Sequence, residues 1–258
     1  MSQKAIKGTI LCLHGFAQNG VVFSTKASGI RKMLKKAGYH TVFIDGPIEL
    51  TPADLPFAAS SLGADDKAEE IKFRGWVYTQ ADKFDIQPSL DAIKKAYEES
   101  GPFIGIMGFS QGSGIIGAIL SSFDKVVGDE KTLDHLKFAI IYSGFIFENE
   151  SVQHYYEKRI SLPTLHVMGE LDTLVSNERS QKLADLCENA TVLKHPGGHY
   201  CPSTKDLLKT EVAWVNQVVE RNITGGESEK VDVEKSESAQ ADDEILKLAE
   251  QLDKLGKA

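Results

Sequence analysis

The pentapeptide Gly108-Phe109-Ser110-Gln111-Gly112 constrains this chain more than any other stretch. An apolar run, Pro102 to Met107, leads into it, and a small-residue, isoleucine-rich run, Ser113 to Leu120, leads out. Strand, sharp turn and helix is the context in which G-x-S-x-G places a serine at a nucleophile elbow. The turn strains the serine backbone and leaves no room for side chains two positions either side, hence the flanking glycines. The Ser110 hydroxyl is then exposed above a sheet, with the N-terminus of a new helix aimed at it. Unpaired N–H groups and the helix dipole favour negative charge there, such as a tetrahedral oxyanion. Three fixed positions in five is a loose filter, so the motif needs partners elsewhere in the chain.

The surrounding pattern supplies an α/β frame. Gly8 to Leu13 is a continuous apolar run ending at His14-Gly15-Phe16, as suits a strand buried on both faces of a parallel sheet. Ile30, Met33, Leu34 and Ala37 recur at helical spacing within a predicted helix from Val22 to Lys36, which Gly38 stops. Thr41 to Ile44 then reads as a second strand closed by the turn Asp45-Gly46-Pro47. Residues 48–84 are irregular, the mark of a cap or a flexible segment. Pro88 to Ser100 is a predicted helix, and Phe138 to Tyr142, Thr164 to Met168 and Thr191 to Leu193 are predicted strands. Asn177 to Cys187 and Lys205 to Val219 complete a sandwich of helices around a mostly parallel sheet.

Charge and cysteine usage narrow the partners. Of the net charge of −8, −5 falls on residues 222–258, which hold ten acidic and five basic side chains. The mildly acidic body has no basic stripe, which argues against nucleic acid or an anionic membrane as partner. No apolar run nears the ~18 residues that span a bilayer. Cys12, Cys187 and Cys201 share no metal-ligand spacing and read as reduced thiols. With no secretory signal ahead of the chance N-x-[ST] triplets, the expected address is cytoplasmic. Residues 1–222 form the expected catalytic domain, 223–241 a disordered acidic linker, and 242–258 a short amphipathic helix. That helix carries Ile245, Leu248, Ala249, Leu252 and Leu255 on one face. Docking onto the body, self-association and a frayed solvated helix are its expected alternatives.

A serine hydroxyl needs a base to take its proton, and the base needs an orienting carboxylate. On an α/β-hydrolase sheet these follow in chain order Ser, Asp or Glu, His. Downstream of Ser110, the strand Thr164 to Met168 runs into Gly169-Glu170-Leu171-Asp172. Strand Thr191 to Leu193 runs into His195-Pro196-Gly197-Gly198-His199. Asp172 and His199 thus share with Ser110 the sheet edge where α/β folds place ligands. Glu170 is the rival acid and His195 the rival base; the glycines before His199 favour it, because they let its loop swing. His166 sits mid-strand, as a core histidine would. His14 precedes Ser110 and is expected to shape its own loop. The backbone N–H groups of Gln111 and Phe16 are the candidate oxyanion donors.

Three blocks together, Leu13-His14-Gly15-Phe16-Ala17-Gln18-Asn19-Gly20, the elbow, and His195-Pro196-Gly197-Gly198-His199, resemble the FSH family of serine hydrolases. The likeness runs in ordered blocks from Lys7 to Glu220 and takes in Asp45-Gly46-Pro47 and the surroundings of Trp76. It implies a compact α/β-hydrolase with Ser110, Asp172 and His199 as triad, acting on acyl esters or thioesters. Two departures stand out: Ser176 follows Val175 where relatives often carry proline, and the long acidic tail looks extra. Phe16, Trp76, Phe109, Leu174, Val175 and Tyr200 lie in or beside loops at the same edge, where an apolar wall would suit an acyl chain; Trp76 is the strongest of these candidates and plain core packing the alternative for the rest. No H-E-x-x-H, cysteine–histidine cluster or phosphate-binding glycine loop appears, so no metal or nucleotide cofactor is expected. The rival functions are a non-catalytic binding or scaffolding protein on the same fold, and a peptidase.

Overall fold

The computed structural model describes residues 6–55 and 72–224. The first apolar run is β1 (Gly8–Leu13), whose last four residues are buried. Two helices follow, α1 (Gly20–Lys26) and α2 (Ser28–Ala37), where the periodicity reads as one. The break falls at Ala27, at φ −87° and ψ 16°, and lets the chain change direction while Ala27 N–H still bonds the Phe23 carbonyl at 2.8 Å. Gly38 closes α2 in the left-handed region at φ 102°, a conformation glycine adopts without Cβ strain. Next come β2 (Tyr39–Ile44), then β3 (Ile48–Glu49) and β4 (Arg74–Gly75), which pair as a small antiparallel ribbon. Helix α3 (Gln87–Ser100) has proline in its first turn and precedes β5 (Phe103–Phe109) and α4 (Gln111–Ile119). Two short helices, α5 (Phe123–Val127) and α6 (Thr132–His135), lead to β6 (Phe138–Tyr142) and β7 (Thr164–Gly169). The chain ends its described part with α7 (Asn177–Asp185), β8 (Ala190–His195) and α8 (Lys205–Thr224).

Six strands form one sheet in the order β2-β1-β5-β6-β7-β8, with every neighbouring pair parallel. Alternate residues feed opposite faces, as the two-residue pleat requires. Leu11, Leu13, Ala139 and Ile141 pack under α3, α4, α5 and α7. Ile10, Cys12, Ile140 and Tyr142 pack under α1, α2 and α8. Strand order reverses between β1 and β5, so the loops after these two strands diverge around a crevice at the carboxyl edge. That switch point is where open α/β sheets bind ligands. The loops after β1 and β5 carry Phe16 and Ser110.

The described residues all fall within one compact unit that ends at Thr224. From Gly225 on, the acidic linker and the terminal helix expected from composition lie outside the described residues. No helix among the described residues is long and apolar enough to cross a membrane.

Candidate active site

Ser110 sits between β5 and α4 at φ 52° and ψ −115°, a region that L-residues enter only under constraint. The constraint is visible. Ser110 N–H donates to the Tyr142 carbonyl at 2.9 Å, and Gly112 N–H donates to the His14 carbonyl at 3.1 Å. A Cβ on Gly112 would run into the backbone carbonyls of Leu13 and His14, and one on Gly108 would stand 2.8 Å from the Ser113 nitrogen. Both glycines are therefore required by close backbone approach.

Across the crevice, the β1 loop is held against the elbow. The His14 carbonyl also accepts from Trp76 Nε1 at 2.8 Å, while Gly46 N–H donates to His14 Nε2 at 2.8 Å. Burial drives the His14 pKa down to about 4, so its ring stays neutral and serves as a strut. Gln111 Oε1 accepts from the Trp76 N–H at 2.7 Å and its Nε2 donates to the Val77 carbonyl at 2.9 Å, so the β4 loop is tied to the first turn of α4. A Cβ on Gly15 would lie 3.5 Å from Ser110 Cβ, which brings the Gly15-Phe16 peptide beside the serine. The backbone N–H groups of Phe16 and Gln111 have no acceptor among the described residues.

The structure brings Ser110, His199 and Asp172 into one hydrogen-bonded chain. His199 Nε2 lies 2.9 Å from Ser110 Oγ, and Nδ1 lies 2.7 Å from Asp172 Oδ2. These distances suit an Nδ1–H that donates to the carboxylate and an Nε2 lone pair that accepts the serine proton. Asp172 is buried and fully engaged: Ser143 Oγ donates to Oδ2 at 2.9 Å, and the N–H groups of Leu174 and Val175 donate to Oδ1 at 3.0 and 2.9 Å. Burial pushes its pKa up, but the Val175 amide, the His199 imidazole and the Ser143 hydroxyl outweigh that and hold it below the ordinary value. The Phe109 ring supports the imidazole, with ring centres 4.8 Å apart.

The rivals sit elsewhere. Glu170 is exposed on the same loop, and the imidazole pairs with Asp172 instead. His195 ends β8, buried, with Nδ1 accepting from Gly197 N–H at 3.3 Å, and burial lowers its pKa. His166 is a core residue, paired with Thr164 Oγ1 at 3.1 Å and pushed by burial down to about 4.

The expected apolar wall needs correction. Trp76 is fully buried, its indole N–H spent on the His14 carbonyl, so it braces two loops and offers no surface to a substrate. Phe109 and Val175 are buried too, the first against Phe23 and the second behind Asp172. Leu174 and Tyr200 do project, at 66% and 50% exposure, and Leu171 joins them at 69%. Phe16 is half-buried over Ile48 and Leu50. Two contributors went unread in the sequence: Ser143, which holds Asp172, and Tyr142, whose carbonyl holds both the Ser110 N–H and, at 3.0 Å, Ser113 Oγ. Their signal was position, since both stand where β6 meets the same sheet edge. Among the described residues no group of three or more His, Cys, Asp or Glu side chains could hold a metal ion.

A parallel sheet with a strand–turn–helix serine at its switch point defines an α/β-hydrolase. Solved structures agree on the fold: a Bacillus cereus carboxylesterase matches with a TM-score of 0.54 at 16% identity, over 82% of this chain and 89% of that one. Zea mays acyl-protein thioesterase 2 matches with a TM-score of 0.54 at 16% identity, over 85% and 96%. At the level of family, the chain belongs to the serine hydrolases of the FSH1 type, whose family model matches residues 1–210. Family of serine hydrolases 2 of Saccharomyces cerevisiae is 34% identical over 81% of this chain and 98% of its own. Family of serine hydrolases 3 of the same yeast is 31% identical over 96% of this chain and 99% of its own, a match that extends into the acidic tail, whereas the family model stops at residue 210. Esterase OVCA2 of Danio rerio is 32% identical over 80% and 95%. The chain is thus a hydrolase of an esterase-bearing family.

Proposed function

We propose that the protein cleaves carboxylic esters or thioesters of small acyl substrates through an acyl-enzyme intermediate, with residues 1–222 as the catalytic unit. The observation that carries this reading is the continuous hydrogen-bonded path from Asp172 through His199 to Ser110. Ser110 Oγ attacks the carbonyl as His199 Nε2 takes its proton, and the carbonyl electrons move onto oxygen between the Phe16 and Gln111 amides. Collapse of that oxyanion expels the alcohol or thiol, which leaves with the proton from His199. Water then repeats the sequence on the acyl-serine and releases the acid. Asp172 keeps its charge throughout and stabilises the imidazolium. Each oxyanion donor is worth about 3–4 kcal/mol of barrier in such sites. The esterase and thioesterase names among the relatives and structural neighbours favour the same substrate class.

A fluorophosphonate probe tests the reading directly. The wild type is expected to be labelled and Ser110→Ala not. No labelling of the wild type would leave the non-catalytic binder as the better description, and faster turnover of amides than of esters and thioesters would favour the peptidase.

A further inference from the structure

A cavity of about 520 Å3 opens beside the first turn of α4. Gln111, next to the nucleophile, forms one wall; Val77, Phe84, Phe145 and Phe147 form an apolar lining. The aromatic rings are packed edge to face, Phe145 on Phe147 at 5.2 Å and Phe84 on Phe147 at 5.4 Å, so the lining is preformed. Its volume suits a small organic group. A leaving group must receive a proton from His199 and therefore lies on the His199 side of the carbonyl. None of the residues that line this cavity belongs to the loop that carries His199. The cavity is thus placed for the other substituent, the acyl group.

One lining residue is out of keeping with an apolar slot. Arg179 of α7 enters the wall with its guanidinium carbon 4.6 Å above the Phe145 ring. It forms no ion pair among the described residues, although its neighbour Glu178 pairs with Lys182 at 3.5 Å. Contact with the face of Phe145 holds the guanidinium at the cavity wall, and its N–H groups have no hydrogen-bond partner among the described residues, which leaves them for a planar carboxylate that can accept two parallel hydrogen bonds. Glu148 also lines the cavity, but it is exposed and forms no ion pair with Arg179.

Resting on the ester or thioester hydrolase reading, we propose that this cavity is the acyl subsite and that Arg179 selects acyl groups ending in a carboxylate, such as half-esters or half-thioesters of dicarboxylic acids. The apolar walls take the methylene chain, Arg179 takes its anionic end, and Glu148 tempers the preference by repulsion.

The test uses the full chain and a matched pair of chromogenic aryl esters. One is the half-ester of a linear dicarboxylic acid, and the other is the same compound with its free carboxylate capped as a methyl ester. The wild type is expected to favour the carboxylate form in kcat/KM by about tenfold, the scale of one charge-assisted contact. In Arg179→Met, which keeps a flexible apolar stem over Phe145, the ratio should fall to near one. In Glu148→Gln, a change at an exposed position, it should rise severalfold. If Arg179 served only to cover Phe145, both esters would change together and the ratio would hold. A wild-type ratio at or below one at every chain length, or a ratio unmoved in Arg179→Met, overturns the proposal. In either case turnover of the capped ester that vanishes in Ser110→Ala leaves the hydrolase reading intact. Failure of the wild type to turn over either ester or to take the fluorophosphonate label would sink both.

Discussion

The elbow and the proposed relay of Asp172 and His199 meet within a hydrogen bond of each other, yet they are held by different means. Ser110 is fixed by backbone: its N–H on the Tyr142 carbonyl, the Gly112 N–H on the His14 carbonyl, and a dihedral pair that no side chain alone imposes. Asp172 and His199 are loop residues held at their side chains, through the Ser143 hydroxyl, the backbone N–H groups of Leu174 and Val175, and the Phe109 ring at the end of β5. Where the serine stands is thus a property of the whole sheet. Where the imidazole stands depends on a handful of replaceable groups. Damage to the relay should cost rate and spare the fold, whereas damage to the elbow should cost the fold first.

The largest expected effect breaks the relay. In Asp172→Asn the amide oxygen can still accept from the Leu174 and Val175 N–H groups, which leaves the amide NH2 facing His199 Nδ1 and favours the wrong imidazole tautomer. Turnover should drop by about 10⁴-fold with the melting temperature nearly kept, read by steady-state kinetics beside a thermal melt. A loss under tenfold would mean that the imidazole is oriented by something else. Next in size, Gly112→Ala breaks the elbow. Its Cβ would meet two backbone carbonyls, which cannot swing away as a side chain would. About 3 kcal/mol of stability should go, roughly 6–12 °C in Tm for a unit of this size. An unchanged Tm would show that the β1 loop can yield and that the elbow does not depend on the sheet.

The smallest effect sharpens the comparison by probing what braces the elbow from below. Tyr142 donates its phenol to Glu211 of α8, which is buried and has its Oε1 without a partner among the described residues. Burial, only partly offset by the Tyr142 hydroxyl, raises the Glu211 pKa from 4.5 to about 7. An acid with a raised folded pKa contributes stability that is complete below its unfolded pKa and is lost as pH climbs through the folded one. Between about pH 5 and pH 8 the wild type should therefore lose roughly 2 kcal/mol relative to Glu211→Gln, whose side chain does not titrate. His14 and His166, with pKa values lowered to about 4, pull the other way on the acid side, and the comparison of variant with wild type cancels them. Parallel stability-versus-pH curves for the two proteins would contradict the assignment.

The elbow was legible because its constraints are local. Glycine spacing, an apolar strand and a small-residue helix all lie within twenty residues of Ser110 in the chain, and chain order then pointed to Asp172 and His199. The sequence favours Asp172 over Glu170 and His199 over His195, but both members of each pair share a loop or its edge, and only the hydrogen bonds of the His199 ring separate them in space. Trp76 was misread because an aromatic in an irregular stretch carries no period from which burial can be inferred. Glu211 is legible in the sequence, because it falls on the same helical stripe as Leu208, Val212 and Val215, where an acid has no solvent to face. The break at Ala27 left no such trace, because alanine favours helix.

All nine residues of α4 are buried, several of them glycine or alanine. A rod clasped on every side cannot be re-tailored without disturbing the floor on which the chemistry stands. New substrate tastes in this scaffold must therefore be acquired at the periphery, in the segments after β4, β6 and β7, and a search for altered selectivity is best confined to those three rims.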